Sequence, residues 1–131
     1  MTFALDHVRR KKRARPEDEL HIRVARLLDV WLEPGVFWLH VPNGGTRNVI
    51  EAVQFKRRGV KPGVPDLIFI HAGKVTGIEL KSDVGRLSDN QRHTQALMRA
   101  AGCRIETARS ENEVYELLKA FGIPLRGRIA A

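Results

Sequence analysis

Val64-Pro65-Asp66-Leu67-Ile68-Phe69-Ile70-His71-Ala72-Gly73-Lys74-Val75-Thr76-Gly77-Ile78-Glu79-Leu80-Lys81 is the stretch that decides the fold. Residues 66–70 and 75–81 are short and rich in β-branched and aromatic side chains, and His71-Ala72-Gly73-Lys74 between them has hairpin chemistry. Two antiparallel strands are therefore expected. Alternate residues of a strand share a face, so Glu79 and Lys81 point the same way and Leu80 points to the other. If the strands pair as a hairpin, Asp66 at the start of the first lies near Glu79 at the end of the second.

Outward from this hairpin, Gly59-Val60-Lys61-Pro62-Gly63-Val64-Pro65 reads as a stiff loop. Residues 46–58 have helical composition and stop at Gly59, and Arg47, Lys56, Arg57 and Arg58 make that helix basic. Residues 36–41 read as a strand that ends at the loop Pro42-Asn43-Gly44-Gly45. Pro16 suits a first helical turn, Glu17, Asp18 and Glu19 complement its dipole, and Leu20, Val24, Leu27, Leu28 and Trp31 recur at helical spacing, which predicts a helix over about 16–32.

Downstream, Ser88-Asp89-Asn90-Gln91 carries the serine and glutamine of a capping box and opens a helix through Ala101, ended by Gly102. A strand over about 103–108 follows. Ser110-Glu111-Asn112-Glu113 reads as a second capping box, before a helix that sets Val114, Leu117, Leu118 and Phe121 on one face and stops at Gly122. The order α-β-α-β-β-α-β-α predicts an α/β fold, a mixed sheet flanked by helices. Trp31, Trp38 and Cys103 are assigned to the core.

The 131 residues are 43% hydrophobic, enough for a core without disulfides or a structural metal. One domain is expected over 16–123, with 124–131 as a C-terminal tail. The single cysteine, Cys103, excludes an internal disulfide and a multi-cysteine zinc cage, so a reducing compartment is expected. His21, His40, His71 and His93 lack zinc-ligand spacing and are read as structural, and no Gly-rich loop with a Lys-Ser/Thr pair is present. No run approaches the roughly 18 to 20 apolar residues of a membrane span. A soluble cytoplasmic protein, with neither membrane nor zinc, is the expectation.

The formal charge of +8 favours a polyanionic partner. Much of it is local: residues 1–15 hold six basic side chains against Asp6, a net of +5. That segment reads either as a disordered, solvated arm or as an arm that grips DNA.

Asp66 and Glu79 are hard oxygen donors that together suit Mg²⁺ or Mn²⁺ rather than zinc. Hydrolysis of a phosphodiester needs a nucleophilic water, neutralised phosphoryl oxygens and help for the leaving oxygen, and carboxylate-held metal supplies all three. Lys81 adds a cation. Acting as a base would require a strongly depressed pKa, whereas orienting the water or stabilising the transition state would not, and the second role is preferred.

Val41-Pro42-Asn43-Gly44-Gly45, Gly59 to Leu67, Ile78-Glu79-Leu80-Lys81 and Gly85-Arg86-Leu87-Ser88-Asp89-Asn90-Gln91 together resemble successive motifs of the VRR-NUC domain, a branch of the PD-(D/E)xK nuclease superfamily. The resemblance spans about residues 17 to 110. It implies a restriction-endonuclease-like fold, Mg²⁺ or Mn²⁺ dependence, and cleavage of branched or repair-type DNA such as Holliday junctions. It also implies Asp66 and Glu79 as metal ligands, Lys81 as the catalytic lysine, the Leu80 carbonyl as a further ligand, Glu19 as the first-helix acid and Gln91 as an active-site glutamine.

Each of the last two has a plainer reading beside the implied one: Glu19 as a dipole partner like its neighbours, Gln91 as a capping residue. The sequence has glycine after Asn43 where many members carry an acid. Asn43, Gly44, Arg47, Lys56, Arg57, Arg58, Lys61 and Arg86 are the candidate DNA contacts, with an ordinary turn and a solvated basic face as the alternatives. Similarity to stand-alone phage-type members implies a homodimer of bacterial or phage origin. The rivals are a nuclease of restriction-like, flap or single-strand specificity, and a basic DNA-binding module without catalysis.

Overall fold

The computed structural model describes residues 16–42 and 49–127. The expected N-terminal arm, Asn43, Gly44 and Arg47 lie outside the described residues. The elements are α1 (Pro16–Trp31), β1 (Phe37–His40), α2 (Val49–Arg57), β2 (Leu67–His71), β3 (Lys74–Leu80), α3 (Asp89–Ala100), β4 (Arg104–Ala108) and α4 (Glu111–Ala120). This is the order expected, and the class is α/β with a mixed sheet.

The strands form one four-stranded sheet in the order β1-β2-β3-β4. The β2–β3 hairpin pairs Leu67 with Ile78 and His71 with Lys74. Its turn places both Ala72 (φ 50°) and Gly73 (φ 76°) in the left-handed region, the twist that two-residue hairpins favour. β1 is antiparallel to β2, while β4 runs parallel to β3 after the crossover through α3.

One face of the sheet presents Leu67, Phe69, Ile78, Leu80 and Ala108 to Leu20, Val24, Leu28 and Trp31 of α1 and to Val114, Tyr115 and Leu118 of α4, and these side chains are the core. α1 contributes at three- and four-residue intervals, the stripe an amphipathic helix must bury. The chain returns to this core beyond α4. Leu125 bridges Leu32, and the Arg126 N–H donates to the Trp31 carbonyl at 2.7 Å. Trp31 is buried as expected; Trp38 packs only partly against the core, and Cys103 is half-buried.

α3 covers the opposite face at its β3–β4 end. Ser88 caps it with the full reciprocal box: the Gln91 N–H donates to Ser88 Oγ at 3.1 Å, and the Ser88 N–H donates to Gln91 Oε1 at 2.9 Å. The cap of α4 departs from expectation. Ser110 Oγ accepts from the Glu113 N–H, but the Glu113 carboxylate reaches one residue further back, to the Arg109 N–H at 2.6 Å.

Gly63 (φ 86°) passes directly beneath the start of α3, where an added Cβ would lie 2.3 Å from the Asn90 carbonyl oxygen. With the Thr94 hydroxyl donating to the Pro62 carbonyl at 2.6 Å, this contact locks the loop before β2 to α3. α2 buries no side chain and exposes Val49, Ile50 and Val53. No helix among the described residues is long and apolar enough to cross a membrane.

Candidate active site

The hairpin register continues one residue beyond β2, which sets Asp66 opposite Glu79. Their backbones and carboxylates interlock. The Asp66 N–H donates to Glu79 Oε2 at 3.2 Å, and the Leu80 N–H donates to Asp66 Oδ2 at 2.8 Å. The N–H and C=O of one strand residue point to the same side of the strand. The Leu80 N–H is turned toward Asp66, so its carbonyl faces that side too, whereas the Lys81 N–H turns the other way, to Ala108.

Glu79 is 1% exposed. Burial and the adjacent Asp66 charge push its carboxyl up to about 8, only partly offset by Lys81. Burial also raises the Asp66 carboxyl, but His21 and the Leu80 N–H outweigh it and hold Asp66 below its ordinary value. Lys81 Nζ sits 4.0 Å from Glu79 Oε1 and is largely shielded from solvent. Gln91 Nε2 donates to the same Glu79 oxygen at 2.6 Å. One side chain thus spans both places: the amide oxygen caps α3 while the amide nitrogen bonds the buried acid.

On the other side of Asp66, α1 and β1 wall a cleft of about 510 Å³ lined by Glu17, Asp18, His21, Ile22, Ala25, Trp38, His40 and Leu67. His21 Nε2 lies 3.7 Å from Asp66 Oδ1. The His21 and His40 rings meet edge to face at 4.3 Å, and His40 Nδ1 is 3.0 Å from the Asp66 carbonyl oxygen. The Trp38 indole N–H donates to Asp29 at 3.1 Å, which turns its ring to the cleft wall.

Asp66, Glu79, Lys81, Gln91 and the Leu80 backbone thus come together. Glu19 does not join them: it is exposed and is not among the residues that line the cleft. At about 100° per residue it lies about 200° around the helix from His21, whereas Glu17, four residues before His21, shares its face. That spacing was the available signal for Glu17 and His21; the pairing of His21 and His40 needed the fold. Among the described residues no group of three or more His, Cys, Asp or Glu side chains stands ready to enclose a metal. Two carboxylates and a carbonyl are instead a donor set for a hard cation that keeps much of its water.

Lys56, Arg57, Arg58, Lys61 and Arg86 are all exposed. Lys56 and Lys61 line a smaller groove with Phe55, Val60, Pro62 and Asn90, at the start of the helix that bears Gln91. The Arg109 guanidinium, unnoticed in the sequence, donates to the Ser82 and Gly85 carbonyls, each at 2.6 Å, and so fixes the loop that follows Lys81.

The sequence model of the VRR-NUC domain matches residues 12–112. Two solved structures share the fold. One, titled a VRR_NUC domain protein, superposes with a TM-score of 0.65 at 21% identity, covering 86% of this chain and 93% of its own. The other, titled VRR_NUC domain, gives 0.57 at 16% identity, covering 82% and 99%. A search of curated proteins found no match.

Proposed function

Because the chain belongs to the VRR-NUC domain family of nuclease domains, we propose that it is a Mg²⁺- or Mn²⁺-dependent endonuclease that hydrolyses phosphodiester bonds in DNA and prefers branched substrates such as Holliday junctions. The observation that carries this reading is the direct opposition of Asp66 and Glu79 across the hairpin, interlocked through backbone hydrogen bonds, with Lys81 beside Glu79.

The donor chemistry fits a hard dication. Two carboxylates in contact, one almost wholly buried, cannot both ionise at low cost beside Lys81 alone at 4.0 Å, and a dication would relieve that cost. Asp66, Glu79 and the Leu80 carbonyl would hold the ion. When bound, it supplies a Lewis acid for the phosphoryl oxygens and activates the attacking water. Gln91 fixes the Glu79 carboxylate, and the Leu80 N–H fixes that of Asp66. Lys81, shielded and pointing to the same side as Glu79, stabilises charge that builds on the phosphoryl oxygens. Exposed Lys56, Arg57, Arg58, Lys61 and Arg86 supply phosphate contacts that position the duplex.

Preference for junctions is supported by the family resemblance and by the symmetry a homodimer would bring, with two sites addressing two strands. Phe37, Leu39 and Ile70, exposed on one face at the β1 edge, are apolar surface suited to pairing two copies. The test incubates the chain and its Asp66→Ala form with labelled four-way junction, flap and linear duplex, in Mg²⁺, Mn²⁺ or chelator. Junction cleavage that needs both metal and Asp66 is expected. Cleavage that survives chelation and the substitution overturns the assignment, and equal cleavage of all three substrates overturns the junction preference.

A further inference from the structure

We infer that His21 Nε2 is a direct ligand of the divalent cation held by Asp66, and that this nitrogen makes the centre take Mn²⁺ in preference to Mg²⁺. The inference rests on the reading of Asp66 as a metal ligand and adds a donor that neither the sequence pattern nor the carboxylate pair provides.

Four observations converge on His21. Its Nε2 atom is buried and has no hydrogen-bond partner, an arrangement that native interiors avoid unless the atom has another task. It lies 3.7 Å from Asp66 Oδ1. Two atoms bound to one cation at about 2.1 Å lie about 3.0 Å apart when adjacent, so a shift of under about 1 Å, within reach of a side-chain rotation, brings the two atoms to the separation of shared ligands. Asp66 Oδ2 is taken by the Leu80 N–H, which leaves Oδ1, the oxygen on the His21 side, for the ion. Finally, His40 stands edge-on against the His21 ring and engages the Asp66 carbonyl through Nδ1, so one neighbour steadies both proposed ligands.

The consequence for metal choice follows from the donor. Mg²⁺ demands oxygen and sheds water reluctantly, while first-row transition ions accept imidazole readily. Replacing a water by His21 therefore helps Mn²⁺ more than Mg²⁺. Glu17, one helical turn before His21 and lining the same cleft, adds negative charge on that side.

Mn²⁺ alone, added to the full chain without DNA, tests this by pulsed electron paramagnetic resonance and by titration calorimetry. The wild type is expected to show coupling of Mn²⁺ to a ¹⁴N nucleus, and His21→Ala and His21→Gln are expected to lose it. Mn²⁺ affinity should fall about tenfold or more in both variants, as for loss of a metal-supporting residue, while Mg²⁺ affinity, read by competition, changes less than about twofold. Absence of nitrogen coupling in the wild type, its survival in either variant, or an equal fall for both ions overturns the inference, and the wild-type spectrum decides even if a variant fails to fold. Asp66→Ala separates the two readings. Undiminished Mn²⁺ binding there refutes Asp66 as a ligand, whereas loss in Asp66→Ala with none in His21→Ala refutes His21 alone.

Discussion

The pairing of Asp66 with Glu79 makes the metal-free protein pH-sensitive in a defined direction. The Glu79 carboxyl, at about 8 in the fold against an ordinary 4.5, keeps a proton in the folded state that the unfolded chain has released. Stability is therefore lost as pH rises from about 4.5 to 8. Each pH unit of that interval is worth about 1.4 kcal/mol, and a loss of roughly 3 to 5 kcal/mol is expected from this group. Asp66 acts in the opposite sense, because its lowered pKa contributes stability that is lost only as pH falls below the ordinary carboxylate range, outside the window.

Thermal unfolding in chelator at pH 5, 6, 7 and 8 measures the effect, and a fall of about 10 °C is expected for a domain of this size. Glu79→Gln holds a neutral side chain in the same place, so its melting temperature should lose most of that slope and exceed the wild type at pH 8. Added Mg²⁺ should raise the wild-type melting temperature more at pH 8 than at pH 5, since the ion binds the ionised pair, and should leave Glu79→Gln nearly unmoved. Parallel pH profiles for the two proteins in chelator would refute Glu79 as the group whose raised pKa sets the slope.

Lys81→Met should lower the single-turnover cleavage rate about 10²- to 10³-fold, the cost of one preorganised electrostatic contact. Its junction affinity in Ca²⁺, measured by fluorescence anisotropy, should stay within about threefold. Gly63→Ala forces a Cβ into the Asn90 backbone at a left-handed φ, so a loss of about 3 kcal/mol in urea unfolding is expected. Ala72→Gly removes a side chain from the left-handed region at the hairpin turn and should gain about 1 kcal/mol in the same assay. Joint replacement of exposed Lys56, Arg57 and Arg58 by alanine should weaken DNA binding on every sequence and reduce the slope of log K against log salt by up to about 3, leaving the melting temperature unchanged.

Local chemistry was legible wherever a single element satisfied its own requirements. The Ser88 box shows this, because cap and third residue lie three apart and need nothing else. The Ser110 box shows the limit: Glu113 found the Arg109 N–H instead of its own cap, a choice between donors one residue apart that spacing cannot make. Glu19 failed for a related reason. Three consecutive acids, Glu17, Asp18 and Glu19, all suit a first helical turn equally, and only the docking of α1 on the sheet selects the face bearing Glu17 and His21. Arg109 carried no signal at all, since its partners are carbonyls about 24 and 27 residues away.

Alternation along residues 75–81 put Glu79 and Lys81 on one face, and the hairpin turn chemistry between residues 66–70 and 75–81 brought Asp66 toward them. Both are properties of neighbours along the chain, with period two in a strand and a turn of two residues, so the amino-acid order alone determined them. Register, burial and the approach of distant elements are different in kind. That Glu79 is sealed beneath Gln91, that Asp66 is flanked by His21 and His40, and that α2 buries none of its side chains among the described residues are outcomes of packing separate segments against one sheet. Such contacts join residues far apart in the chain, where the energy belongs to the assembled surfaces, and the tertiary structure alone decided them.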